Sequence, residues 1–244
     1  MSKDSTVFFK NNYSDYWSSK RPLSYINTDY DNFLISLVPT CSSSVLEACC
    51  GNGIPFSFTL ARSGLRVFGF DISESLISQY NQLHSSISGV VDDIYTFGTQ
   101  DSYDCLFIYH SLHLLPNPYL AIESLISNCP NITSFVVEFS SIYFPSNSIL
   151  YSKLEALHSS RFNMYRVIRY LKNIFKRALR VGSIDSTKQN IFEPVSIYRI
   201  IDSVELPYKV YGVSLSPFAA SEITFPVSAD RIIQYDRLIV VFTR

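Results

Sequence analysis

The sequence predicts an α/β domain built on a doubly wound, mostly parallel sheet, and two observations carry that prediction. Short apolar runs, VLEACC, LRVFGFD, YDCLFIYH and NITSFVVEFS, alternate with helix-periodic segments such as PFSFTLAR, ESLISQYNQL and NPYLAIESLISNC. Strands buried on both faces read as nearly continuous apolar runs, and helices between them supply the crossovers of a parallel sheet. The second observation is composition: 244 residues, 47% hydrophobic and 17% charged, suit a single globular domain and exclude a disordered or low-complexity chain.

Residues 1–40 read as an N-terminal cap. Tyr, Ser and Asn dominate its first part, then Phe33, Leu34, Leu37 and Val38 take helical spacing that stops before Pro39. Residues 41–144 hold the core. The strand in VLEACC runs into GNG, and the next segment starts a helix in which Pro55 suits the first turn and Gly64 the C-terminal cap. LRVFGFD is a second strand ending on an acid, followed by a helix that Ser73 is placed to cap. A weaker strand at Gly89 to Val91 leads to Asp92 and Asp93, and YDCLFIYH is the fourth strand. The helix NPYLAIESLISNC and the fifth strand, NITSFVVEFS, complete the alternation.

Beyond residue 145 the pattern changes. Apolar residues at 150, 154, 157, 164, 168, 171, 175 and 179 predict one or two long amphipathic helices, a helical insertion over residues 145–190. Residues 191–244 then bring a helix near Phe192 to Val204 and two β-rich stretches, PYKVYGVSL and DRLIVVFTR, separated by a loop with Pro217 and Pro226. With no room for a crossover helix between them, they are expected to form an antiparallel edge pair, which makes seven strands in all.

The formal net charge of -1 conceals a segregation. Residues 150–180 hold eight basic residues against the single acid Glu155, a net +7 that leaves -8 on the rest. Such a segment suits a solvated face, a lid over a phosphorylated or carboxylated substrate, or a peripheral contact with an anionic membrane. Near-zero overall charge and the absence of an RNA-binding motif argue against a nucleic-acid partner. No stretch approaches the 18 apolar residues of a membrane span and the first ten residues lack a signal-peptide core, so the expectation is a cytoplasmic protein. Five cysteines (Cys41, Cys49, Cys50, Cys105 and Cys129) form neither a disulfide framework nor a zinc-ligand spacing; most are expected to be buried thiols, with no metal site.

Only 8 residues are glycine, and four of them, Gly51, Gly53, Gly64 and Gly69, fall within nineteen positions. At the first strand-to-helix junction such glycines let the backbone approach a ligand, and the helix start favours an anionic or electron-rich group. A dinucleotide is one reading, although the six-residue glycine fingerprint fails in either register. Asp71, at the end of the second strand, suits ribose hydroxyls in any nucleotide reading. Glu47 would repel a pyrophosphate but favour a ligand carrying an ammonium group, as S-adenosylmethionine does.

Taken together, VLEACCGNG, GLRVFGFDIS and YDCLFIYHSLHLLPNP resemble the class I S-adenosylmethionine-dependent methyltransferases of the small-molecule type, whose pattern reads like VLDLGCGTG, GVDIS and FDLVxxxxxLHHLPDP. The resemblance covers residues 13–140 and implies a Rossmann-like fold with S-adenosylmethionine as cofactor. It places Glu47 at the acid that helps hold the methionine amino group, Cys49 at the first glycine of the loop, and Gly51 and Gly53 at the two later glycines. Asp71 becomes the ribose acid and Ile72 flanks the adenine. Asp92 or Asp93, with Ile94, matches the positions that contact the adenine amino group and ring, and Tyr109 lies beside the methionine end of the cofactor.

In-line methyl transfer depends chiefly on positioning and exclusion of water, with a base needed where the acceptor must lose a proton. His110, Tyr109 and His113 at the end of the fourth strand are the candidate catalytic groups. Tyr13, Tyr16, Trp17 and Arg21 suit a lid whose aromatics and guanidinium bind substrate, and Glu138 at the end of the fifth strand suits substrate orientation. The family often inserts substrate-binding elements after the fifth strand, which favours a lid role for residues 145–190. The expected activity is methyl transfer to a small or medium-sized acceptor, with an anionic or a glycan- or lipid-linked molecule among the candidates. A methyltransferase-fold binding or scaffold protein without turnover is the alternative, because Cys49 replaces a glycine.

Overall fold

The structure, a computed structural model, describes residues 28–139, 194–215, 218–224 and 235–244. Its elements run α1 (Thr28–Ser36), β1 (Ser44–Ala48), α2 (Phe56–Arg62), β2 (Arg66–Asp71), α3 (Glu74–Tyr80), β3 (Ile87–Val91), β4 (Cys105–Ile108), α4 (Pro118–Asn128), β5 (Ser134–Phe139), α5 (Pro194–Ser203), β6 (Tyr208–Leu215), β7 (Phe218–Ile223) and β8 (Arg237–Thr243). The strands form one sheet in the order β3-β2-β1-β4-β5-β8-β6-β7. Pairing from β3 through β5 is parallel, and β8, β6 and β7 add antiparallel.

Alternation along each strand divides the core between the two faces of the sheet. On one face Val45, Val67, Phe107 and Val136 pack with Tyr30 and Leu34 of α1, Phe56 and Leu60 of α2, and Ile77 and Tyr80 of α3. On the other, Leu46, Phe70, Leu106, Phe135 and Val137 pack with Ala121, Ile122 and Leu125 of α4 and with Ile197, Ile200 and Ile201 of α5. Every residue of β1 is buried, Ser44 and Glu47 among them, as in a strand covered on both faces of the sheet. The order reverses direction between β1 and β4, and open α/β sheets bind ligands in the crevice at the carboxyl ends of strands flanking such a reversal.

The sheet has eight strands rather than seven. The additional strand, β7, lies in what reads as a loop, because as the outer edge it is half-exposed and carries little apolar signal. The expected antiparallel pair, β6 and β8, is present, but β8 also pairs with β5, so it is an interior strand and the edge belongs to β7. Ser73 stands at the N-cap of α3 without a side-chain capping bond. The insertion over residues 145–190 lies outside the described residues. No helix among the described residues is long and apolar enough to cross a membrane.

One packing arrangement fixes the base of the crevice. Tyr80, the last residue of α3, is fully buried, and a Cβ at Gly53, Gly69 or Gly89 would come within 2.8, 2.5 or 2.9 Å of its side chain. Glycines on the loop after β1, on β2 and on β3 together make the space for this one ring. Gly69→Ala would place its methyl 2.5 Å from the Tyr80 hydroxyl and 2.7 Å from Cys50 Sγ, so it is expected to destabilise the fold by about 1–3 kcal/mol or more. Denaturant unfolding measures this, and an unchanged midpoint would contradict the packing described.

Candidate active site

The loop after β1 takes a left-handed turn at three of its seven residues: φ is +55° at Cys49, +57° at Gly51 and +77° at Gly53. Cys49 thus follows a backbone path that favours glycine. Its side chain is half-buried against the core, and burial first, then the charges of Asp71 and Asp93, push its thiol well above the ordinary value. It remains a neutral thiol.

Asp71 ends β2 directly beneath this loop. Its Oδ2 accepts the Gly51 N–H (3.0 Å) and its Oδ1 the Ser73 N–H (2.9 Å), so one carboxylate ties the glycine loop to the start of α3. Each oxygen keeps acceptor capacity for a ligand, since a carboxylate offers about four lone-pair sites. Burial pushes this carboxyl up while the backbone donors oppose that shift. Ile72 is half-exposed at the same edge, whereas Ile94 is buried in the core. Asp92 and Asp93 are half-buried and engaged in local turns, Asp92 Oδ1 accepting the Asp93 N–H (2.7 Å) and Asp93 Oδ1 the Tyr95 N–H (3.1 Å).

Glu47 lies lower, only 3% exposed within β1. A chain of hydroxyls leads to it, from Tyr80 to Ser57 Oγ (3.0 Å) and from Ser57 to Glu47 Oε2. Burial, opposed by the Ser57 bond and reinforced by Asp71, pushes its carboxyl up to about 8. The native state therefore holds this proton more tightly than the unfolded chain, whose value is near 4.5. The resulting stabilisation is full below about pH 4.5 and is lost as pH rises to about 8. Glu47→Gln removes that dependence, so the stability of the variant relative to the native sequence should climb between these limits. Denaturant unfolding across that range checks it, and a constant difference would refute a protonated Glu47.

A second group forms where β4 and β5 end. His110 leaves β4 with φ +56°, a left-handed conformation rare for residues other than glycine and often found at functional sites. Its Nδ1 lies 2.9 Å from Glu138 Oε1, and Arg237 Nε approaches the same oxygen at 2.9 Å. Burial alone would push the Glu138 carboxyl up, but His110, by charge and hydrogen bond, with Arg237 and His113, holds it down at about 2. An ionised carboxylate only accepts, so Nδ1 carries the proton that Glu138 receives, and it is Nε2 that holds the lone pair in the neutral tautomer. Tyr109 stacks on Phe56 (4.6 Å between centroids) and on His110 (5.3 Å), while His113 meets His110 edge-on at 5.9 Å.

The structure thus brings Glu47, Cys49, Gly51, Gly53, Asp71 and Ile72 around the end of β1 and β2, and Tyr109, His110, His113 and Glu138 around the end of β4 and β5. Tyr13, Tyr16, Trp17 and Arg21 lie outside the described residues. Sequence reasoning missed Tyr30 and Asp31 of α1 and Arg237 of β8, whose positions depend on long-range packing that no local motif marks. Among the described residues no three His, Cys, Asp or Glu side chains converge in a set able to hold a metal ion.

Residues 45–132, which span the glycine loop, Asp71 and the end of β4, match the model of a methyltransferase domain family. Over this stretch, about a third of the chain, the sequence is similar to a methyltransferase domain. None of the curated proteins compared matches the sequence. Among solved structures, the methyltransferase fold is similar to a possible histamine N-methyltransferase of Thermotoga maritima (TM-score 0.64, 11% identity, 98% of this chain and 99% of that one). It is also similar to magnesium protoporphyrin IX methyltransferase of Synechocystis PCC 6803, solved with S-adenosylhomocysteine (TM-score 0.58, 14% identity, 98% of each chain). A third similar structure is the plantazolicin methyltransferase with S-adenosylhomocysteine (TM-score 0.58, 14% identity, 98% of this chain and 93% of that one).

The residues present suit this cofactor. Nothing lies within 4 Å of where a Cβ on Gly51 would stand, which leaves open space over the loop. Beside Asp71, the Ser73 hydroxyl is buried without a hydrogen-bond partner and can serve a ligand hydroxyl. Asp71 and Ser73 would hold the ribose, Ile72 would cover the adenine, and Gly51 would let the methionine end approach the loop, whereas the space beside Gly53 is taken by Tyr80.

Proposed function

We propose that this methyltransferase moves a methyl group to an O–H or N–H of a small acceptor entering at the carboxyl ends of β4 and β5. The 2.9 Å contact between His110 Nδ1 and Glu138 Oε1 carries this reading, because it leaves Nε2 as a base at the edge of the crevice. When bound, S-adenosylmethionine supplies a methyl carbon on a positively charged sulfur, which becomes a neutral thioether once the methyl has left. His110 Nε2 takes the proton that the acceptor sheds as its lone pair forms the new bond to carbon. Glu138 is a positioning residue that fixes the tautomer and ring orientation of His110, and Arg237 secures Glu138 from the neighbouring strand. Tyr109, stacked flat on His110, limits rotation of the imidazole and excludes water from one of its faces. The basic segment at residues 150–180 lies outside the described residues, so this reading of the acceptor rests on His110 and Glu138 alone.

Calorimetry with S-adenosylhomocysteine, followed by transfer of labelled methyl from S-adenosylmethionine to a mixture of small phenols, alcohols and amines, tests the proposal. Binding with label transfer supports it. Binding without transfer to any acceptor favours a scaffold of the same fold, and folded protein that binds neither compound would sink the reading.

A further inference from the structure

Because β8 runs antiparallel to β5, its first residue, Arg237, arrives at the edge of the sheet where β4 and β5 end. In the register of that pair Glu138 stands opposite Ile239, which makes Arg237 its diagonal neighbour on the same face, a spacing that long side chains cross. The Arg237 side chain is 8% exposed and that of Glu138 2%. Arg237 Nε lies 2.9 Å from Glu138 Oε1, the same oxygen that His110 Nδ1 meets at 2.9 Å. On its other side the guanidinium is held by the Asp236 carbonyl, to which Nη1 donates at 2.8 Å. A permanent cation and a titratable ring thus share one buried carboxylate oxygen.

We propose that Arg237 is a positioning residue that keeps His110 in its free-base form, because it supplies permanently the positive charge that buried Glu138 would otherwise draw from the imidazole. This rests on His110 as the base of the reaction proposed above and adds what sets its protonation. A buried carboxylate without a cation is costly, and the ring already bonded to it can supply one by gaining a proton. With Arg237 in place, the charges of Arg237 and Glu138 cancel, and a proton added to His110 would be a surplus positive charge. Other ionisable side chains adjoin this cluster: Tyr109 and His113 on the side of β4, Asp236 next to Arg237, and Tyr30 and Asp31 of α1, which the Glu138 charge reaches. None of these is a permanent cation, so they do not take the place of Arg237.

The test follows the His110 imidazole signal, identified by its absence from His110→Asn, through an NMR pH titration of the full-length protein. The native sequence is compared with Arg237→Gln, Arg237→Met and Arg237→Lys. Both neutral variants should raise the midpoint of that signal by about 1–2 pH units, the size expected when a cation a few ångströms away is lost. Arg237→Lys keeps the charge and should recover most of the native midpoint, which a merely structural role would not require. Methyl transfer by Arg237→Gln should fall about tenfold near neutral pH for each unit of that shift and recover at alkaline pH. A midpoint unmoved or lowered in the neutral variants, a Lys variant displaced as far as they are, or failure of both neutral variants to fold would each overturn this role. The titration needs neither cofactor nor acceptor. An unmoved midpoint beside His110-dependent methyl transfer therefore removes Arg237 and leaves the proposed reaction standing. Folded protein that binds no S-adenosylhomocysteine removes the reaction, and the part of Arg237 in it, together.

Discussion

Replacing His110 with alanine is expected to slow methyl transfer by about 10²- to 10⁴-fold, the usual contribution of a positioned base, with the affinity for S-adenosylmethionine nearly unchanged. The separation follows from the structure: His110 stands at the end of β4 beside Glu138, whereas the loop and Asp71 belong to β1 and β2. The deficit should shrink as pH approaches the acceptor's own pKa, where the acceptor ionises without help. Glu138 does not confuse that profile. Its folded value is held down at about 2 against an ordinary 4.5, so the stability it contributes is present above pH 4.5 and is lost only as pH falls toward 2. Because alanine tolerates the left-handed φ of +56° no better than histidine, His110→Asn, which tolerates it more readily, is the companion variant. Steady-state rates across neutral pH decide the matter, and a rate equal to that of the native sequence in both variants would remove His110 from the mechanism.

The second large effect is expected at Asp71. Asp71→Ala should weaken binding of S-adenosylhomocysteine by about 1.5–3 kcal/mol, roughly 10- to 150-fold, the magnitude of hydrogen bonds to a charged group. Two causes contribute. The variant loses acceptors for ribose hydroxyls, and it also releases the Gly51 and Ser73 N–H groups that the carboxylate now holds at 3.0 and 2.9 Å. Asp71→Asn separates them, since its one carbonyl oxygen can retain a backbone donor while the charge is gone. An alanine variant that binds as tightly as the native sequence would show that the carboxylate serves the loop alone.

Much of this fold was legible because the signals were local. The apolar runs at Ser44–Ala48 and Ser134–Phe139 are buried on both sides, so their composition declared them strands. Phe218–Ile223, exposed along one edge, carried no comparable signal and read as loop. The glycine loop, Asp71 and His110 were legible for the same reason, each lying at a junction of strand and helix. Tyr30, Asp31 and Arg237 were not, since α1 precedes the sheet in sequence and β8 follows it, and only the packed sheet brings them to Glu138. Ser73 misled in a different way: the residue type fits an N-cap, but its hydroxyl is left over beside Asp71. Cys49 broke the loop pattern on paper, yet its backbone adopts the conformation of the glycine it replaces.

The tyrosine held between three glycines changes how variation in this protein should be interpreted. Gly53 sits in the cofactor loop, but the space it leaves is filled by Tyr80, not by a ligand. A scan that substitutes loop residues and scores activity would therefore record a failure of folding at Gly53 and a failure of binding at Asp71 with the same number. Residues 53, 69, 80 and 89 behave as a single unit of four, distant in sequence but one in volume. Libraries aimed at cofactor preference should hold that unit constant and vary the open space above Gly51.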